Sequence, residues 1–120
     1  MSKTKSKSVK GLRITRKVEE LLYKIYPSLK NYPKAEKHAL CKYIKAEFFE
    51  IISYLESANS VPSKRKVYAQ EADGKLRSLW AMFRLAREER YISIGFYREI
   101  DVALTEIAVM LSAYIKSASK

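Results

Sequence analysis

From Lys34 to Ala58 the chain runs for 25 residues without a glycine or proline. Within that run Leu40, Ile44, Phe48, Ile51 and Leu55 return every three or four positions, and Cys41 and Ile52 widen the stripe. This is the period of a helix face, not of a strand. Such a segment forms one rod of ~37 Å. A single rod leaves its apolar stripe in water, so the stripe demands partner helices.

The rest of the chain supplies them. Ile14, Val18, Leu21, Leu22, Ile25 and Leu29 mark a first helix from about Leu12 or Thr15 to Leu29. Pro27 conflicts with its end, because proline removes a donor and clashes with the preceding turn. The helix kinks there or stops near Tyr26. Pro33 suits the first position of the second helix, from about Lys34. Asn59 to Arg65 reads as the next connection, rich in loop residues. A third helix spans about Tyr68 to Glu89, with Ala72, Leu76, Leu79, Phe83 and Ala86 down one line. Gly74 within it costs about 1 kcal/mol relative to alanine. Arg90 extends the core line of that helix, so a snorkelling or capping role is expected. Ser93 reads as an N-cap, with Ile92 and Tyr97 placed as a hydrophobic staple. The fourth helix runs to about Lys116 along Tyr97, Ile100, Leu104, Ile107, Leu111 and Tyr114.

Four amphipathic helices on short links pack most simply as an all-α, antiparallel up-down-up-down four-helix bundle. The expected organisation is a basic flexible arm over 1–11, a bundle over 12–117 and a frayed end over 118–120.

Charge narrows the function. The net formal charge is +11. Lys3, Lys5, Lys7, Lys10, Arg13, Arg16 and Lys17 put +7 into the first 17 residues, where no acid occurs. Such a field concentrates polyanions, nucleic acid first among them. An anionic membrane or an acidic protein exploits the same charge. On the third helix Asp73, Arg77, Trp80, Arg84 and Arg87 share one face. Arginine there suits phosphate, and an indole beside it suits a base. The plain alternative is a boundary tryptophan among solvated arginines, with Asp73 pairing Arg77. Phe49 on the second helix and Val102, Val109 and Ala113 on the fourth point away from the core lines. They are the candidate surface for a homo-oligomer.

Chemistry is not visible. His38 is the only histidine and Cys41 the only cysteine. A lone pair three residues apart is a poor zinc signature. Neither a phosphate loop nor a triad is present. No catalytic residue, metal or cofactor is expected. One cysteine forbids an intrachain disulfide and fits a reducing compartment. No apolar run approaches the ~18–20 residues of a membrane span. No apolar segment follows the basic start as in a signal peptide. A cytoplasmic protein without membrane partners is the default.

Several short segments also match a known pattern. These are Tyr32-Pro33-Lys34-Ala35-Glu36-Lys37, Glu56-Ser57-Ala58-Asn59, Leu76-Arg77-Ser78-Leu79, Phe83-Arg84-Leu85-Ala86 and Ile107 through Ile115. In this order and spacing, over about residues 15–117, the chain resembles the accessory variability determinant (Avd) proteins of diversity-generating retroelements. Their wider superfamily includes bundle proteins encoded by intervening sequences of bacterial 23S ribosomal RNA genes. One departure is Ser112-Ala113-Tyr114, where the family often carries Gly-Gly-Trp. The resemblance implies a barrel-like homopentamer. It also implies a basic surface that engages a reverse transcriptase and structured RNA or DNA during mutagenic cDNA synthesis. By position the basic role falls on Arg77, Arg84 and Arg87, and on Arg13, Arg16 and Lys17. The competing expectations are a ribosomal intervening-sequence bundle and a structural adaptor that binds no nucleic acid.

Overall fold

The computed structural model describes residues 9–118. Among them four α-helices account for most of the chain: α1 Val9–Ile25, α2 Leu40–Ser60, α3 Arg65–Glu88 and α4 Ile94–Ala118. Each packs on its sequence neighbours, and α1 closes the square against α4. The helices therefore alternate in direction, with α1 and α3 on one diagonal and α2 and α4 on the other. The body measures 48 × 24 × 22 Å. This is the antiparallel up-down-up-down bundle expected from the sequence.

The interior follows the periodic lines. Leu76, Leu79, Phe83 and Ala86 of α3 are buried, as are Ile100, Leu104, Ile107, Leu111 and Tyr114 of α4. Phe48 of α2 meets Phe83 of α3 edge-on at 6.3 Å between ring centroids. Edge-to-face contact sets the positive rim of one ring against the negative face of the other. Ala58, Ala69, Ala72 and Ala86 are fully buried. These short side chains leave room for close axes where α2 and α3 meet.

The ends depart from expectation in four places. The first helix begins at Val9, so Lys10 and Gly11 are helical and not part of an arm. Gly11 is buried because it faces Asn59, and a Cβ built on it would lie 1.8 Å from the Asn59 Oδ1. Glycine there permits a helix approach that any other residue would obstruct. The α-helix then stops at Ile25, the ending near Tyr26 that Pro27 led one to expect. Pro27 cannot continue the ladder, and the chain tightens into a 3₁₀ segment over Tyr26–Asn31.

The second helix starts at Leu40, six residues later than expected. Tyr32 and Pro33 are extended, Lys34–Glu36 form a short 3₁₀ turn, and Ala39 lies outside the helical region at φ −122°, ψ −99°. Side chains fix this entry. The Leu40 N–H donates to Glu36 Oε1 at 3.2 Å, and the Tyr91 hydroxyl donates to Glu36 Oε2 at 2.8 Å. Glu36 thus caps α2 and ties it to the α3–α4 turn. Lys37 Nζ donates to the carbonyls of Leu29 (3.0 Å) and Lys30, groups the end of a helical segment leaves open.

At the opposite end the expected loop over Asn59–Arg65 shrinks. The second helix runs through Ser60 and α3 opens at Arg65. Asn59 is buried, and its Oδ1 accepts from the Tyr114 hydroxyl at 2.7 Å. Arg65 donates Nε to the Ala58 carbonyl (2.9 Å) and Nη2 to that of Asn59 (3.2 Å). Loop-type residues become a helix end because side chains answer the last carbonyls.

The fourth departure is Arg90, expected on the core line. It is exposed and left-handed, with φ 62°. The Tyr91 N–H reaches the Ala86 carbonyl (2.8 Å) and the Arg90 N–H that of Arg87 (2.9 Å). This is a Schellman closure, with arginine in the position that glycine occupies most easily. Ser93 then caps α4 as expected, its Oγ accepting from the Phe96 N–H at 3.0 Å.

Candidate nucleic-acid interface

Lys3, Lys5 and Lys7 lie outside the described residues. Lys10, Arg13 and Arg16 project from the first half of α1 and are exposed. Among the described residues none of the three makes an ion pair. Lys17 differs, because its Nζ sits 3.3 Å from Glu106 of α4. Lys24 and Glu99 repeat that link at 2.6 Å farther along the same seam. Exposed pairs of this kind contribute about 0–1 kcal/mol. They matter more here for removing two cations from the free surface.

On α3 the predicted line divides. Arg77 Nε is 3.2 Å from Asp73 Oδ2, the i,i+4 pair of the plain alternative. Trp80 is partly buried and donates its Nε1–H to Asp101 Oδ1 on α4 at 2.9 Å. It is a boundary residue joining two helices. Arg87 lies over the Tyr97 ring at 4.6 Å and pairs with Glu88 at 3.1 Å. Arg84 alone on this line is exposed and outside any ion pair among the described residues.

The two predicted basic groups do not merge. The start of α1 lies beside Asn59 and the start of α3. Arg84 and Arg87 lie near the far end of α3, on the helix diagonal to α1. A polyanion spanning both would have to follow the bundle along its length.

The apolar candidates also separate. Val102 and Val109 of α4 are 68% and 66% exposed, and Ala113 follows on the same face. Phe49 is 57% exposed but belongs to α2, across the diagonal. It is not part of the α4 stripe.

Phe49 instead borders a groove that the sequence reading passed over. This hollow of about 810 Å³ lies between the 3₁₀ segment and the entry and first half of α2. Its walls carry Lys30, Lys37, Lys42 and Lys45, with His38, and its lining includes no acidic residue. Tyr26 and Phe49 add two exposed rings. Lys45 Nζ stands 5.1 Å from the centre of the Tyr26 ring. The signal was present as His38, Lys42, Lys45 and Phe49, spaced four, three and four apart. Lys30 joins them only through the tertiary fold.

Cys41 lies in the floor of that groove, 2% exposed, with its Sγ 3.6 Å from the Leu29 carbonyl. Burial pushes its thiol up from the usual range, against the pull of Lys37 and Lys45. A neutral, buried thiol is a weak nucleophile and a weak metal ligand. Among the described residues no group of three or more His, Cys, Asp or Glu is placed to hold a metal ion. No described helix is long and apolar enough to cross a membrane.

A family model described as bAvd-like matches residues 12–118, the whole of the bundle from the first turns of α1 to the end of α4. Comparison with curated proteins and with solved structures gives no significant match.

Proposed function

Since the chain belongs to the bAvd-like family, we propose that it is the non-catalytic accessory subunit of a diversity-generating retroelement. In that role it binds nucleic acid and the element's reverse transcriptase in the cytoplasm and supports mutagenic cDNA synthesis. What supports this most is the set of cations the fold leaves free. Arg13 and Arg16 on α1 and Arg84 on α3 are exposed and make no ion pair among the described residues. A planar guanidinium without a carboxylate partner is ready for a phosphate. The total charge of +11 draws a polyanion to it.

The assembly proposed with it is the homopentamer that the family resemblance implies. A homopentamer is a closed ring, and a ring interface joins two different patches on each copy. The Val102, Val109 and Ala113 stripe on α4 supplies one of them. Five copies of a 13.9 kDa chain weigh about 70 kDa.

Copurification from the native host, with mass spectrometry and sequencing of bound RNA, tests the role. The expected catch is a reverse transcriptase with a structured RNA. Light scattering should give the pentamer mass. Purified protein should bind RNA or DNA with affinity that falls steeply with salt. Absence of binding at ~50 mM salt would overturn the proposal. Arg13→Glu with Arg16→Glu, and separately Arg84→Glu, should each weaken association with nucleic acid or with the reverse transcriptase.

A further inference from the structure

We infer that the groove between the 3₁₀ segment Tyr26–Asn31 and the first half of α2 is a binding site for single-stranded nucleic acid. Lys30, Lys42 and Lys45 would take its phosphates, and Tyr26 and Phe49 its bases. This deepens the accessory role proposed above by assigning a place and a strand state to the ligand.

The chemistry is specific to a stacked, charged strand. A groove lined by lysines without an acid is a poor seat for a second copy of this chain, whose net charge of +11 it would repel. The rings narrow the choice further. Base stacking on exposed aromatics, beside a cationic track, is how proteins hold single strands without reading sequence. A duplex keeps its bases stacked inside and offers nothing to Tyr26 or Phe49.

The cations in the groove are not equivalent. Lys37 is already committed to the Leu29 and Lys30 carbonyls. It holds the turn in shape and is excluded from the phosphate set. Lys30 and Lys42 are exposed, and Lys45 is half-buried with its head over Tyr26. On α2, Lys42, Lys45 and Phe49 share one face, so two cations and then a ring follow one another along the floor's edge. Lys45 beside Tyr26 presents a charge and a π face to the same nucleotide.

The test uses the full chain, a labelled 20-mer of uridine and a duplex of equal length, titrated by anisotropy across salt concentration. Each phosphate contact to a single strand contributes about 0.7 to the slope of log K against log salt. Lys42→Gln with Lys45→Gln should therefore lower the slope by about 1.4 and weaken uridine binding ~25-fold at 0.1 M salt. Phe49→Ala should weaken it about tenfold with the slope unchanged. Both variants should leave duplex binding, circular dichroism and oligomer mass as they are. Wild-type affinity in both variants, beside a loss in Arg13→Glu with Arg16→Glu, would overturn the groove and leave the accessory role standing. A drop in oligomer mass for Phe49→Ala would overturn it too, by showing a second copy seated there. Failure of the unmodified chain to bind either oligonucleotide would reject both readings.

Discussion

Gly11 offers a sharp prediction because helix propensity and tertiary packing pull in opposite directions. On propensity alone Gly11→Ala should stabilise α1 by about 1 kcal/mol. The packing forbids it. The new Cβ would lie 1.8 Å from Asn59 Oδ1, 2.8 Å from its Cγ and 3.0 Å from the Tyr114 hydroxyl. Asn59 is 3% exposed, so its side chain has little room to swing aside. Moving it breaks the 2.7 Å bond from Tyr114. A buried polar group left without its partner costs about 1–3 kcal/mol. Overpacking adds about 1–3 kcal/mol. After the propensity gain the net loss is about 3 kcal/mol. For a chain of this size that lowers Tm by roughly 12 °C. Urea unfolding followed by circular dichroism, at one fixed protein concentration, measures it. In an Asn59→Ala background the main obstruction is gone and the Tyr114 hydroxyl, 3.0 Å away, is released from its partner and can shift, so Gly11→Ala should become close to neutral. A Gly11→Ala variant as stable as the parent, or more so, would refute the close approach of α1 to α2.

The same exchange at Gly74 should have the opposite sign, since nothing lies within 4 Å of its Cβ position. Gly74→Ala should raise stability by about 0.8–1 kcal/mol in the same urea assay. Arg90→Gly should also stabilise, by about 1 kcal/mol, because it relieves a left-handed arginine at the Schellman position; a lower urea midpoint would contradict this. Stability should fall as pH rises above about 10, the ordinary tyrosine value. Burial raises the hydroxyls of Tyr32 and Tyr114 above it. The unfolded chain therefore releases these protons first. The stabilisation is complete below the unfolded pKa and is lost as pH climbs through the folded ones. Urea midpoints measured from pH 8 to 11 should be flat at first and then decline. Tyr114→Phe should make that decline shallower and lower the midpoint at pH 8.

The long periodic helices were legible because burial on one side repeats with the helical turn. Tyr97 through Tyr114 reads straight from sequence to core. The helix ends were not. Lys34 to Ala39 has helical residue types, yet Glu36 bonds forward to Leu40 and across to Tyr91, and the helix waits for Leu40. Tyr91 is 55 positions away from Glu36, beyond any local signal. Asn59 reads as a loop residue until Tyr114, equally distant in sequence, buries it. The site divides in the same way. Lys10, Arg13, Arg16 and Arg84 were recognisable as exposed cations. Whether Lys17, Arg77 and Arg87 stay free depends on acids and rings that the fold brings to them. The groove was hidden because Lys30 comes from one segment and Lys42 and Lys45 from another.

The bond between Trp80 and Asp101 has a spectroscopic consequence. Trp80 is the only tryptophan in the chain, so native fluorescence comes from one indole clamped at the α3–α4 seam. Its emission colour reports whether that seam is closed. It also views one side of the molecule only. A ligand seated at Arg84, one helical turn away, alters the light, whereas a strand in the groove between the 3₁₀ segment and α2 lies away from the α3–α4 seam and leaves the emission unchanged. An unlabelled titration thereby tells the two basic surfaces apart before any residue is changed.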